Sequence, residues 1–394
     1  MRRREFITLL GGAAAGWPLA AQAQRSERTA RIGFLYPGPL AVAPPRIEIV
    51  LSGLRSAGRQ GEQVELVPRV ADSDPARLPR LAAELIEEKV DVVVAVSTAA
   101  VRAVQAASTT IPIVAHDLET DPVASGFIAN YAQPGGRITG VFFDFPDFRT
   151  KWLELLREVI PGLASIALLW DPASGVAQLE ALQAAGDQLR LKARTLKVSA
   201  VGELEEAFAT ASRDGVDALL VLSSPLFGAR PSVLAGLALR HKLPTVTLFP
   251  DFARAGGLIA YGPNLLDTYR PLGPLVGKIL HGAKPADLPV ERPSKFELVV
   301  NVKTAKEIGV TIPTSLLLRA DAARISPGPE GERLCRGRER GDRIPLGQQS
   351  VRFVAGAGDR IGSPKGRRDR HDRRPPCGAR GEGGQHDDPH RLHR

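Results

Sequence analysis

The chain has 394 residues, 43% hydrophobic and 24% charged, enough for two lobes of ordinary size around a sizeable core. Its formal charge of +9 points first to a polyanion partner. The distribution excludes that: residues 326–394 hold 16 Lys and Arg against 10 Asp and Glu, and residues 1–24 three Arg against one Glu, which leaves 25–325 with 33 basic and 32 acidic residues, nearly neutral.

Arg2-Arg3-Arg4 precedes a mild apolar run from Leu9 to Ala21, and Ala21-Gln22-Ala23 is a small-x-small cleavage pattern. These parts predict an export signal over 1–23, and Arg3-Arg4-x-Phe6-Ile7 with glycines in the core gives it a twin-arginine character. The apolar run is too short to stay in a membrane. A soluble periplasmic protein, cut near Ala23, is expected. No cysteine lies near Ala23 to carry a lipid anchor.

Residues 31–36 read as a buried strand, followed by the Pro37-Gly38-Pro39 turn and a helix over 44–57. A strand over 63–70 and an amphipathic helix over 75–88 come next, with Pro79 delaying the regular helix by a turn. The organising stretch follows. Val92 to Val96 is a continuous apolar run between Asp91 and Ser97-Thr98, the pattern of a parallel strand covered on both faces. Ser97 or Thr98 can cap a helix from about Ala99 to Ala107. The next strand is 111–115, then a loop from His116 through Pro122, with short apolar segments over 126–130 and 138–143 around Pro134-Gly135-Gly136.

The pattern then restarts. A helix over 151–160 leads to a strand over 165–170 that ends in Asp171-Pro172. Helix 175–189, strand 193–198, helix 201–213 and strand 217–222 follow, the last ending in Ser223-Ser224-Pro225. Helix 230–240, strand 244–248, a Gly256-Gly257 turn and strand 258–261 continue it. A long helical pattern over 264–281 is interrupted by Pro271 and Pro274, which predict a kink or a break. Strand 295–301 and a short helix over 302–308 complete the alternation.

Residues 326–394 are unlike the body: rich in Arg, Gly, Pro, Asp and His, poor in large apolar residues, and without a sustained period. They are expected to form a disordered tail. Both cysteines, Cys335 and Cys377, lie there with His371, His386, His390 and His393. His386 and His390 have a spacing that zinc sites use, but no Cys-x-x-Cys pair completes one, so no metal and no cofactor is expected. The tail also resembles a GC-rich gene read in the wrong frame after about Ile325.

Alternating strands and helices predict the α/β class, as two open parallel-sheet lobes joined by a multi-crossing hinge. Lobe 1 takes 30–145 plus 255–292, and lobe 2 takes 146–254 plus 293–323. No G-x-S-x-G, G-x-x-x-x-G-K-[ST] or H-E-x-x-H is present. His116 and Asp117 are adjacent and point apart in an extended segment, so no catalytic residue is expected.

Several separated phrases then agree in order. They include Arg31-Ile32-Gly33-Phe34-Leu35, Asp121-Pro122-Val123-Ala124-Ser125-Gly126-Phe127, Pro134-Gly135-Gly136-Arg137-Ile138-Thr139-Gly140 and Lys151-Trp152-Leu153-Glu154-Leu155-Leu156. Later ones are Ala255-Gly256-Gly257-Leu258-Ile259-Ala260-Tyr261-Gly262-Pro263, Lys284-Pro285-Ala286-Asp287-Leu288-Pro289-Val290 and Lys295-Phe296-Glu297-Leu298-Val299-Val300-Asn301. Over roughly 30–323 the chain resembles the ABC-transporter substrate-binding proteins of tryptophan/tyrosine type, which are similar to type I periplasmic binding proteins. The resemblance implies a monomeric, non-enzymatic importer component. It would bind an amino acid or similar zwitterion between the lobes and pass it to a permease driven by its ATPase. A sensory receptor subunit for the same solute and an exported hydrolase are the alternatives. The family usually ends soon after the segment matching Leu316 to Asp321, and usually keeps an unbroken helix where Pro271 and Pro274 stand.

Carried over by position, the resemblance places Tyr36, Ser97, Thr98, Asp121, Asp171, Ser223 and Tyr261 in the cleft. Hydroxyls beside helix-end N–H groups suit a carboxylate, an Asp suits an ammonium group, and the two tyrosines suit an apolar side chain. Each has a plainer reading: the hydroxyls as helix caps, the two aspartates before proline as turn-setters, and Tyr36 as core.

Overall fold

A computed structural model of the chain describes residues 29–56, 64–143 and 146–320, with the backbone alone for 146–149. The expected export signal and the 326–394 tail lie outside the described residues.

Strands β1 (Ala30–Tyr36), β2 (Val64–Val70), β3 (Val92–Val96), β4 (Ile113–Asp117) and β5 (Ile138–Phe142) form a wholly parallel sheet in the order β2-β1-β3-β4-β5. All five residues of β3 are buried, as its unbroken valine-rich run requires of a strand covered on both faces. Helices α1 (Ala43–Ser56), α2 (Leu78–Glu87) and α3 (Thr98–Ala107) make the crossovers. Pro79 sits in the first turn of α2, where its missing N–H would have no partner anyway.

After α4 (Pro146–Val159) the second sheet gathers β6 (Ser165–Trp170), β7 (Lys192–Lys197), β8 (Ala218–Val221), β9 (Thr245–Thr247), β10 (Ile259–Gly262) and β11 (Glu297–Val300), in the order β11-β10-β9-β8-β6-β7. Only β11 runs antiparallel. The edge strand β7 alternates and carries Lys192, Arg194 and Lys197, charges that discourage pairing with another chain. Helices α5 (Ala177–Gln188), α6 (Leu204–Arg213), α7 (Pro225–Gly228), α8 (Pro231–Arg240) and α9 (Pro250–Arg254) link these strands.

The structure corrects the expected lobe boundaries. Residues 255–292 do not all belong with the first lobe, because β10 sits in the second sheet between β9 and β11. The short helix α9 is just long enough to return the chain beside β9, so the crossing comes after Gly262. The strand expected over 111–115 extends to Asp117, with His116 opposite Val141 and Asp117 opposite Phe142. The apolar segment over 126–130 stays outside the sheet as a turn and bends, whereas that over 138–143 supplies β5.

The 264–281 pattern breaks as its prolines demand. A 3₁₀ turn over Asp267–Tyr269 precedes α10 (Leu272–Leu280), and Pro271 becomes its N-cap. This helix crosses back and packs on α1 of the first lobe. A Cβ on Gly273 would lie 2.3 Å from Leu54 N and Val50 O, so the helices meet backbone to backbone. Gly273→Ala should force them apart and lower the urea midpoint by an amount worth about 1–3 kcal/mol. Helices α11 (Val302–Ile308) and α12 (Thr314–Arg319) end the described chain.

Candidate functional site

In open parallel sheets the strand carboxyl ends leave backbone groups and side chains free to meet a ligand. Here the ends of β1, β3 and β4 in the first lobe face those of β6 and β8 in the second. Two hydrogen bonds cross directly: Ser223 Oγ donates to Glu119 Oε1 at 3.1 Å, and Arg230 Nη2 donates to Ser73 Oγ at 2.9 Å.

The polar centre lies just past β4. Thr98 Oγ1 donates to Asp117 at 2.9 Å, Thr120 Oγ1 donates at 2.7 Å, and the Glu119 N–H donates at 2.9 Å. Glu119 receives less: the Ser223 hydroxyl and the Leu118 N–H at 3.2 Å. Both carboxyls are buried, and both are pushed up, first by loss of water. Glu119 rises well above the usual carboxylate range because Asp117 beside it opposes a second negative charge. The better-bonded Asp117 keeps the charge and Glu119 keeps the proton.

His116 is stripped of solvent, and burial followed by the nearby Arg46 charge lowers it to about 3. It is therefore a neutral ring. Its Nε2 lies 2.7 Å from Thr268 Oγ1, which itself donates to the Leu265 carbonyl, so Nε2 carries the hydrogen. The ring stacks on Tyr269 with centroids 4.0 Å apart.

Two adjoining cavities lie between the lobes, sharing Pro225. The inner one is walled by Tyr36, Arg46, Glu119 and Tyr269 on one side and by Ser224 and Phe249 on the other. The outer one meets Ser73, Ser97, Asp171 and Ser199. Their volumes, about 30 Å³ for the outer and 20 Å³ for the inner, hold a water or two.

Of the expected site residues, Tyr36, Ser97 and Asp171 line these cavities. Ser97 has φ +84°, a region almost reserved for glycine, and its side chain caps α3 at Ala100 N. Asp171 accepts from Ala173 N, faces the Ser224 hydroxyl, and is raised by burial. Thr98 and Ser223 lie a layer behind, Thr98 bonded to Asp117 and Ser223 to Glu119. The other two expected residues lie away from these cavities. Asp121 is half-buried, and its carboxylate is occupied in capping the turn at Val123 and Ala124. Tyr261 lines neither cavity; it is half-buried beside Phe296, and its carbonyl accepts from Trp152 Nε1.

The sequence reading missed Glu119 and Arg46. Nothing in Leu118-Glu119-Thr120 marks the glutamate. Arg46 left a signal, since it falls on the helix face that buries Ala43, Ile47, Val50 and Leu54.

Residues 47–324 match the family described as ABC transporter substrate binding protein. The chain belongs to that family. Among relatives of this substrate-binding protein is a tyrosine-binding protein of Clostridioides difficile (strain R20291), 22% identical over 254 residues that cover 64% of this chain and 72% of the relative. A conserved domain protein from Vibrio cholerae is similar in structure, with a TM-score of 0.68 and 24% identity over 75% of this chain and 99% of the other. An ABC domain from Streptococcus pneumonia, solved in complex with L-Trp, gives 0.65 at 24% identity with the same coverage. The fold of this substrate-binding protein is that of type I periplasmic binding proteins. The family is one of substrate-binding proteins.

Proposed function

We propose that this chain is the exported solute-binding component of an ABC importer, and that it takes a small zwitterion with an apolar or aromatic body between its lobes. It works outside the cytoplasmic membrane and delivers the solute to a permease and its ATPase. The observation that carries this reading is Glu119 meeting Ser223 across a slot walled by Tyr36, Tyr269 and Phe249. A carboxyl and hydroxyls give polar ends, and the rings give an apolar wall. Glu119 faces an entering ammonium group; the cation favours its ionised form, so the proton leaves on binding. The tyrosine and tryptophan in the names of two relatives support the same class.

The test is thermal melting of the purified chain with aromatic amino acids, aliphatic amino acids and sugars. A bound solute at a hundredfold over its Kd should stabilise the chain by about 2.7 kcal/mol. A shift with aromatic amino acids and none with sugars is the expected result. Stabilisation by sugars alone would reject the zwitterion.

A further inference from the structure

Arg46 is out of place as a structural residue. It is only 6% exposed, it sits on the core-facing side of α1, and it lines the inner cavity. Its Nη1 donates to the Val42 carbonyl, while its Nε is buried without a hydrogen-bond partner. The guanidinium lies 5.4 Å from the ring centre of Tyr36 and 5.8 Å from that of Tyr269. Among the described residues it forms no ion pair, although a buried arginine stays charged and a lone buried charge is costly.

A second donor stands beside it. The Tyr36 hydroxyl is also buried without a partner, in a side chain 1% exposed, and it belongs to the same cavity wall. The carboxyl on the same wall, Glu119, is pushed well up by burial and by Asp117 and so holds its proton, supplying no counter-charge. A cation with one unpartnered N–H, its head also bonded to the Tyr269 hydroxyl, and an unpartnered tyrosine hydroxyl thus border a slot whose other walls carry the polar Glu119 and Ser224 and the apolar Val96, Leu118, Phe249 and Leu265. Such a pair suits a planar anion that accepts two or more hydrogen bonds. Meanwhile Thr98, expected from the sequence to meet that anion, is committed to Asp117.

We propose that Arg46 and Tyr36 hold the carboxylate of the solute at the inner end of the slot, with its apolar body against Phe249 and Leu265. This inference rests on the solute-binding reading above. The carboxylate supplies the missing counter-charge for Arg46 and an acceptor for the Tyr36 hydroxyl. The assignment makes the carboxylate obligatory, so the decarboxylated amines of the same solutes are excluded.

The experiment is calorimetric titration of the full chain with L-tyrosine, L-tryptophan, L-phenylalanine, tyramine, tryptamine and glucose. Four proteins are compared: the parent, Arg46→Met, Arg46→Lys and Tyr36→Phe, each checked for folding by circular dichroism. The parent should bind at least one of the amino acids at least 100-fold tighter than the matching amine. Arg46→Met should lose at least 100-fold, Arg46→Lys about tenfold, and Tyr36→Phe severalfold, with amine binding unchanged. The lysine variant keeps the charge and so covers a failure of the methionine variant to fold. Amino-acid binding by a folded Arg46→Met at parental strength overturns the assignment while leaving the solute-binding reading intact. So does a parent that binds tyramine as tightly as tyrosine. With L-leucine and L-valine added to the panel, a parent that binds no amino acid in it rejects the assignment and the zwitterion reading together.

Discussion

Trp152→Ala is expected to destabilise the chain by about 3–5 kcal/mol, the range for a fully buried large aromatic residue. The indole is wholly shielded in the largest core cluster, and its Nε1 donates to the Tyr261 carbonyl at 2.9 Å. It ties α4, the first element of the second lobe, to β10, the last strand before the chain crosses back. Trp152→Phe separates the two contributions. It keeps most of the buried ring and leaves the carbonyl without its donor, for a loss of about 1–3 kcal/mol. Urea transitions followed by far-UV circular dichroism measure both, since the chain has only three tryptophans and fluorescence would change with the probe itself. Equal losses in the two variants would show that the hydrogen bond, not the packing, matters at this site.

The ligand-free chain is expected to lose stability as the pH rises above about 6.5, and Glu119→Gln is expected to remove most of that slope. In the unfolded chain this carboxyl ionises near the ordinary value of about 4.3. In the folded chain burial and Asp117 keep it protonated to a much higher pH. The folded state therefore holds more protons over that interval, and stability falls as pH rises through it. Asp117 and Asp171, both raised by burial, act in the same direction. His116 acts oppositely. It is neutral in the folded chain down to about 3, whereas the unfolded chain takes up its proton near 6.5, so its contribution rises with pH between those values. Below 6.5 the two trends oppose each other, and above it the histidine no longer contributes. The slope there reaches at most ~1.4 kcal/mol per pH unit for one proton. Melting curves at pH 6.5, 7.5 and 8.5 for the parent and Glu119→Gln decide the matter. Parallel trends would show that Glu119 is already ionised in the folded chain.

The two-lobe architecture was legible because its signals are local. The valine run of β3, the serine cap of α3 and Pro271 at the start of α10 each act within a few residues, and each reads correctly from the sequence alone. The assignment of β10 was not local. Its membership in the second sheet depends on which neighbour its backbone meets, and the Gly256-Gly257 turn before it is equally compatible with a crossing there. The slot was harder still. Asp121 and Asp171 share the same aspartate–proline signature and both cap turns, but only Asp171 faces the other lobe. Glu119 acquires its character from Asp117 two residues away and from Ser223 across the slot. Arg46 owes its character to the tyrosines of β1 and of the segment before α10.

Among the described residues two hydrogen bonds bridge the lobes: Ser223 to Glu119, worth about 0.5–1.5 kcal/mol net, and Arg230 to Ser73, whose charged donor raises it to about 1.5–3 kcal/mol. Latches of that size correspond to a gap of a few kcal/mol, for which a gaping form is expected to be populated on the order of 0.1–10% of the time. How long a guest dwells inside is then set by the grip on the guest itself. A tightly held molecule keeps the jaws shut, a poorly fitting one escapes quickly, and docking machinery has only a shallow energy step to overcome when it pries them apart.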